Sequence, residues 1–225
     1  MSCATNNLIN HNMQNSKSFN RDIQLKSFPL IGQIIGKLSL KEIIIFDLET
    51  TTFLNQKSSG ITEIALLKIL RNGDSCCVST LVNPENPISL FVSNLTGITS
   101  DHVAQENNWP AFIKKVGHHW MKSTLSGFNI DRFDIPYIEH QNGRYELNHS
   151  INKVTIDIRG ICQSIHKTNK GTLEFYCNHY GVDVSGAHRA KQDTLLTARL
   201  FENMIERHGI NMIIENIVGF EARED

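Results

Sequence analysis

Paired cysteines are missing from this chain. Its five cysteines, Cys3, Cys76, Cys77, Cys162 and Cys177, form no C-x-x-C pair and no zinc-like spacing with histidine. Reduced thiols in a cytoplasmic protein are therefore expected, not a disulfide scaffold. An excess of charge of either sign is missing too: the net charge is −1, so no global basic field marks a protein that coats or slides along duplex nucleic acid. No apolar run approaches the length of a membrane span and the N-terminus lacks a secretory apolar region, so no membrane partner is expected. What is present is 225 residues with 40% apolar content, enough for one domain with a sizeable core.

Organisation along the chain is uneven. Residues 1–25 are rich in Asn, Ser and Gln and read as a flexible polar segment, and 26–225 read as a single domain with a C-terminal helical tail. Residues Ile23 to Leu40 suit a short helix or a strap across the core. Three strands are expected next, at Ile43 to Leu48, Ile61 to Leu70 and Cys76 to Val82, with Asn72-Gly73 as a hairpin turn between the last two. Helical spacing follows from Trp109 to Met121, after a short helix capped near Ser100-Asp101. Short strands are expected at Leu125 to Phe128 and Val154 to Ile158, and Pro136 suits the first turn of a helix running towards Gln141. Leu196, Leu200, Phe201, Met204 and Ile205 mark a clear helix that Gly209 stops. A β-meander followed by alternating helices and strands argues for an α/β fold, a mixed sheet covered by helices.

The most informative stretch is Ile43-Ile44-Ile45-Phe46-Asp47-Leu48-Glu49-Thr50-Thr51. Its apolar start suits a buried strand. Side chains alternate across a strand, so Asp47 and Glu49 share one face while Leu48 points back into the protein. Two carboxylates so placed repel each other unless a hard cation such as Mg²⁺ or Mn²⁺ lies between them. Two further acidic segments follow, Gly127-Phe128-Asn129-Ile130-Asp131-Arg132-Phe133-Asp134 and Ala187-His188-Arg189-Ala190-Lys191-Gln192-Asp193.

Together these three segments resemble the exonuclease motifs of the DnaQ-like DEDD superfamily, and the histidine five residues before the last aspartate matches its DEDDh branch. Ile61-Thr62-Glu63-Ile64-Ala65 is similar to the family's second strand, and Leu95-Thr96-Gly97-Ile98-Thr99 to the loop before its first long helix. Gly171 to Cys177, followed by Gly181-Val182, resembles its helix ahead of the third motif. The resemblance covers Lys41 to Asn203 and implies an RNase H-like mixed β-sheet flanked by α-helices.

It also implies chemistry. Asp47, Glu49, Asp134 and Asp193 would hold two Mg²⁺ or Mn²⁺ ions, and a pair about 3.5–4 Å apart serves both the attacking and the leaving oxygen of a phosphodiester. His188 would be the general base on the attacking water, a role that suits an imidazole. Five residues on one helix turn side chains about 140° apart. His188 is therefore expected on a mobile loop and Asp193 near a helix start. Asp131 is expected to be solvated or a cap, and Asp157 to be structural.

Leu48, Thr50, Thr51, Thr96, Phe128, Asn129 and Phe133 fall where the family contacts substrate. Phe128 and Phe133 suit a stacking surface or the core equally. Lys167, Lys170, Arg189 and Lys191 suit phosphate steering or a solvated face. Thr52 stands where the family usually has glycine, which bears on how closely a 3′-terminal nucleotide approaches.

The expected activity is metal-dependent 3′–5′ exonuclease cleavage of single-stranded or frayed ends to nucleoside 5′-monophosphates, with DNA favoured over RNA. An RNA-trimming exoribonuclease of the same family and a non-catalytic nucleic-acid or protein-binding module on the same fold are the alternatives. Expected partners are nucleic acid 3′ ends and a polymerase or other replication or repair protein. The tail Asn211 to Asp225 suits either docking to such a partner or packing on the domain.

Overall fold

The computed structural model describes residues 20–22, 27–52 and 59–217. Six strands form one sheet: β1 (Asn20–Asp22), β2 (Glu42–Thr50), β3 (Ile61–Leu70), β4 (Ser75–Leu81), β5 (Thr124–Gly127) and β6 (Thr155–Asp157). Their spatial order is β1-β4-β3-β2-β5-β6. The meander β2-β3-β4 is antiparallel, whereas β5 and β6 run parallel to β2. The sheet is therefore mixed, as expected from the order of elements.

Around it lie the helices α1 (Pro29–Lys37), α2 (Leu90–Thr96), α3 (Ser100–Val103), α4 (Trp109–Val116), α5 (Asp134–Arg144), α6 (Ile158–His166), α7 (Leu173–His179), α8 (Ala190–His208) and α9 (Ile210–Glu215). Alternation along β2 feeds two cores. Ile43 and Ile45 face one side with α1, α6, α7, α8 and α9, whereas Ile44, Phe46 and Leu48 face the other with α4 and α5. Among the described residues no helix is long and apolar enough to cross a membrane.

Local chemistry accounts for most boundaries. The hairpin between β3 and β4 turns at Gly73, whose φ of 84° suits glycine, and the Gly73 carbonyl accepts the Phe28 amide at 2.8 Å. Asn108 caps α4 by accepting the Ala111 amide. At Gly117, with a φ of 83°, α4 ends, and His119–Lys122 continues as a 3₁₀ turn. The helix expected from Trp109 to Met121 is thus two pieces, broken where the backbone leaves helical space. Glu202 on α8 accepts the Leu30 and Ile31 amides at 2.8 and 2.9 Å, satisfying orphan donors of α1 from another helix.

Two other expectations meet the structure directly. Within the polar segment 1–25, Asn20–Asp22 pairs with Cys77–Ser79 as an edge strand; residues 1–19 and 23–26 lie outside the described residues. In the C-terminal tail Ile213 and Ile217 are buried in the core that holds α1 and α8, so this part packs on the domain. Residues 218–225 lie outside the described residues.

Candidate active site

β2 is central, and its C-terminal half outruns its parallel partner, since pairing with β5 stops at Ile45. Beyond that point one edge of β2 has no strand beside it. Asp47 and Glu49 project from the face that α8 covers, with Leu48 buried between them in the opposite core. Asp193 sits in the first turn of α8. One carboxylate oxygen each from Asp47, Glu49 and Asp193 lies within 4.8 Å of the others.

Asp134 arrives from the other side. It is the first residue of α5, is 3% exposed, and accepts the Leu48 amide at 3.2 Å. It therefore touches the backbone between the two β2 acids and is not within the close triad. Gly127, ending β5, lies close to both β2 and the loop that leads to α5: a Cβ there would lie 2.7 Å from the Phe46 carbonyl oxygen and would overlap Ile130. Asp157, capping α6, accepts the Asn129 amide at 2.9 Å and the Arg159 amide at 2.9 Å, and so fixes the loop that leads to α5. That is the structural role expected for it. Asp131 is exposed and accepts the Thr155 hydroxyl at 2.6 Å.

His188 stands two residues before α8, exposed, with a φ of 71° in the left-handed region. Its amide donates to both carboxylate oxygens of Asp193, at 3.3 and 3.2 Å. The expected division, histidine on a loop and aspartate near the helix start, is what the backbone adopts.

Electrostatics at this end of the sheet are dominated by like charge. Burial, and then the Asp134, Glu49 and Asp193 carboxylates, push Asp47 well above the usual carboxylate range. Glu49 is pushed up to about 8 by burial and by Asp193 and Glu63, against the pull of the Arg189 guanidinium. Asp193 is raised to about 6 by burial, opposed by the His188 amide. Burial likewise raises Asp134, opposed by the Leu48 amide. Without a cation these acids hold their protons to higher pH than free carboxylates do; a divalent ion with a preference for oxygen ligands would displace them. The donor set fits such an ion.

The remaining candidates are placed as follows. Thr50 donates its hydroxyl to the Thr52 carbonyl at 3.1 Å, and Thr51 accepts the Gly60 amide at 3.0 Å. Thr52, also the acceptor of the Tyr137 hydroxyl at 2.6 Å, precedes residues 53–58, which lie outside the described residues. Thr96 is buried, its hydroxyl held between the Val92 carbonyl and the Ile98 amide. Asn129, at a φ of 67°, accepts Arg159 Nη1 at 2.8 Å through its side chain. Phe128 and Phe133 are half-buried against opposite cores, beside Tyr176 and Tyr137 respectively.

A pair not assigned from the sequence also belongs here. Glu63 on β3 faces Glu49 in the strand register and is 4% exposed. Arg189, grouped above with cations for phosphate steering, instead pairs with it in a two-pronged contact: Nε donates to Oε2 at 2.9 Å and Nη2 to Oε1 at 2.8 Å. An acid in the apolar run Ile61 to Leu70 was the signal available in the sequence.

Comparison with known proteins gives a consistent result. The family model of the RNase T family, described as exonuclease, matches residues 44–201. The chain is 27% identical over 171 residues to a PolC-type DNA polymerase III of Caldanaerobacter subterraneus, and 29% identical over 177 residues to that of Staphylococcus epidermidis. These matches cover 74% and 76% of this chain, which spans only 12% of the length of either relative. Among solved structures, E. coli exonuclease I bound to an oligonucleotide superposes with a TM-score of 0.65 at 15% identity, covering 78% of this chain and 43% of that one. Exonuclease X bound to 5′-overhanging duplex DNA gives 0.58 at 20%, covering 78% and 99%. With a family model spanning most of the sheet and all three acidic segments, the chain belongs to the RNase T exonuclease family, on the DnaQ-like, RNase H-like fold.

Proposed function

We propose that this protein removes nucleotides one at a time from the 3′ end of single-stranded or frayed DNA, releasing nucleoside 5′-monophosphates. The observation that carries the proposal is the convergence of Asp47, Glu49 and Asp193 within 4.8 Å, with Asp134 on the Leu48 amide of the same strand and the His188 amide on Asp193. Asp47, Glu49, Asp134 and Asp193 would hold two Mg²⁺ or Mn²⁺ ions, which when bound supply charge neutralisation and activate the attacking water.

The chain's own groups do the rest. His188 takes the proton from that water, with its ring carried on a loop that Asp193 tethers through the amide. Asp134 holds the Leu48 amide and so sets the spacing of the two β2 carboxylates. Asn129, whose side chain accepts Arg159, is the group assigned to contact the strand end, and the half-buried Phe128 and Phe133 are assigned to base stacking. The preference for DNA rests on the relatives, which are DNA polymerases. A polymerase or repair protein is the partner that likeness points to, with the cytoplasm as the place of action.

The deciding assay uses single-stranded DNA and RNA of equal sequence, labelled at either end, with Mg²⁺, Mn²⁺ or EDTA. Mononucleotide release from the 3′ end of DNA that needs metal and disappears in Asp47→Ala is the expected result. Faster cleavage of RNA would reassign the substrate, and no cleavage by folded protein under either metal would remove the activity.

A further inference from the structure

Glu63 and Arg189 are 126 positions apart in sequence and meet beside the carboxylate cluster. Glu63 is buried, and both its oxygens are occupied: Arg189 contributes two donors, and the Ala190 amide adds a third at 3.1 Å. The guanidinium side is half exposed. A planar fork on a carboxylate fixes direction as well as distance, which a lysine ammonium does not. The three donors belong to the two residues that follow His188, and Asp193 lies one helical turn further on. His188 itself holds a left-handed conformation, φ 71°, which is uncommon for a residue with a side chain.

We propose that the Glu63–Arg189 pair is a positioning clamp for His188, pinning the start of α8 to β3 so that the imidazole is delivered to the acidic cluster. The inference rests on the exonuclease reading above, because it assigns the clamp its purpose. Two consequences follow from the clamp. It fixes where the helix begins, and hence where Asp193 stands in its first turn. It also sets a guanidinium beside Glu63, and at Glu49 that positive charge opposes the effect of the Glu63 carboxylate. Arg189 acts through His188 and through the backbone; in this arrangement it is not a phosphate ligand.

The test compares Arg189→Ala, Glu63→Gln, His188→Ala and the combination of His188→Ala with Arg189→Ala, in single-turnover cleavage of a DNA oligonucleotide with Mn²⁺. Arg189→Ala and Glu63→Gln should each lower the rate constant by about 10–100-fold, because small displacements of a reacting group are that costly. Substrate affinity should change by less than about threefold. In the His188→Ala background, Arg189→Ala should have no further effect, since groups acting as one unit are not additive. Weakened substrate binding, or a second loss on top of His188→Ala, would overturn the clamp and make Arg189 a substrate contact.

Hydrogen exchange without substrate supplies a readout independent of activity. Faster exchange at the His188 and Ala190 amides in Glu63→Gln, a shape-preserving change that tests folding separately, is expected; unchanged exchange overturns the proposal. If the wild type shows no metal-dependent cleavage, the exonuclease reading fails and the catalytic purpose with it. Exchange then still decides whether the pair holds the loop.

Discussion

The Leu48 amide donates to Asp134 Oδ1 at 3.2 Å, tying the backbone between two site acids to a third acid at the start of α5. β5 stops pairing at Ile45, so this amide has no strand partner, and the Asp134 carboxylate supplies the acceptor. Asp134 thus has two duties, one structural and one electrostatic. Asp134→Asn keeps an acceptor oxygen and removes the charge, whereas Asp134→Ala removes both. Mn²⁺ affinity should fall about 10–100-fold in Asp134→Asn. Asp134→Ala should lose stability as well, by about 1–3 kcal/mol, since a buried amide is left unpaired. Calorimetric Mn²⁺ titration and denaturant unfolding read the two effects separately; equal stability in both variants would show that the hydrogen bond contributes nothing.

The crowding of acids makes metal-free stability depend on pH in a defined direction. Glu49 sits at about 8, above its ordinary 4.5, and Asp193 at about 6, above 3.8. The folded chain therefore binds these protons more tightly than the unfolded chain does. That stabilisation is complete below the unfolded values and is lost as pH rises through about 6 and then about 8. In EDTA the melting temperature should fall between about pH 5 and about pH 9 on account of these groups. Added Mg²⁺ should stabilise more at the alkaline end, where no proton must be displaced. Thermal melts across that range, with and without Mg²⁺, check this; a metal increment larger at acid pH would contradict it.

Much of this arrangement was legible in the sequence, and the reasons differ by element. Asp47 and Glu49 were placed together because strand alternation is a strict rule of two. α8 was legible because its apolar stripe is long, and the β3–β4 hairpin because Asn72-Gly73 carries its own turn chemistry. The end of α4 was hidden: Trp120 and Met121 stay buried after Gly117 breaks the helix, so apolar spacing continues where helical geometry does not. β1 was hidden as well, since Asn20–Asp22 pairs through its backbone and needs no apolar pattern. The Glu63–Arg189 contact was the least visible, because only the folded chain brings β3 and α8 together.

Glu202 shows how α1 is held without a local cap. Phe28, at the cap position, offers no side-chain acceptor, and the Glu202 carboxylate of α8 takes the Leu30 and Ile31 amides instead. Glu202→Ala should cost about 1.5–3 kcal/mol, the scale of hydrogen bonds to a charged group. That corresponds to a fall in melting temperature of about 3–12 °C for a domain of this size. Activity at low temperature should be unaffected, since α1 lies away from the acids. A melting temperature equal to that of wild type would mean that water satisfies these amides equally well.

Gly127 links a backbone constraint to the site. A Cβ there would fall 2.7 Å from the Phe46 carbonyl oxygen, one residue before Asp47, and would overlap Ile130 in the loop that leads to Asp134. Ile130 is fully buried, and the Phe46 carbonyl belongs to the central strand. Gly127→Ala should therefore push β5 and the 128–133 loop away from β2, with a cost of about 1–3 kcal/mol for overpacking. The displacement moves Asp134 relative to Asp47 and Glu49, so cleavage should fall by more than stability alone explains, by about 10²-fold for a shift near 1 Å. Comparing single-turnover rates well below the melting temperature isolates this effect from unfolding. A folded Gly127→Ala protein with wild-type cleavage would show that the approach of β5 to β2 does not set the geometry of the acids.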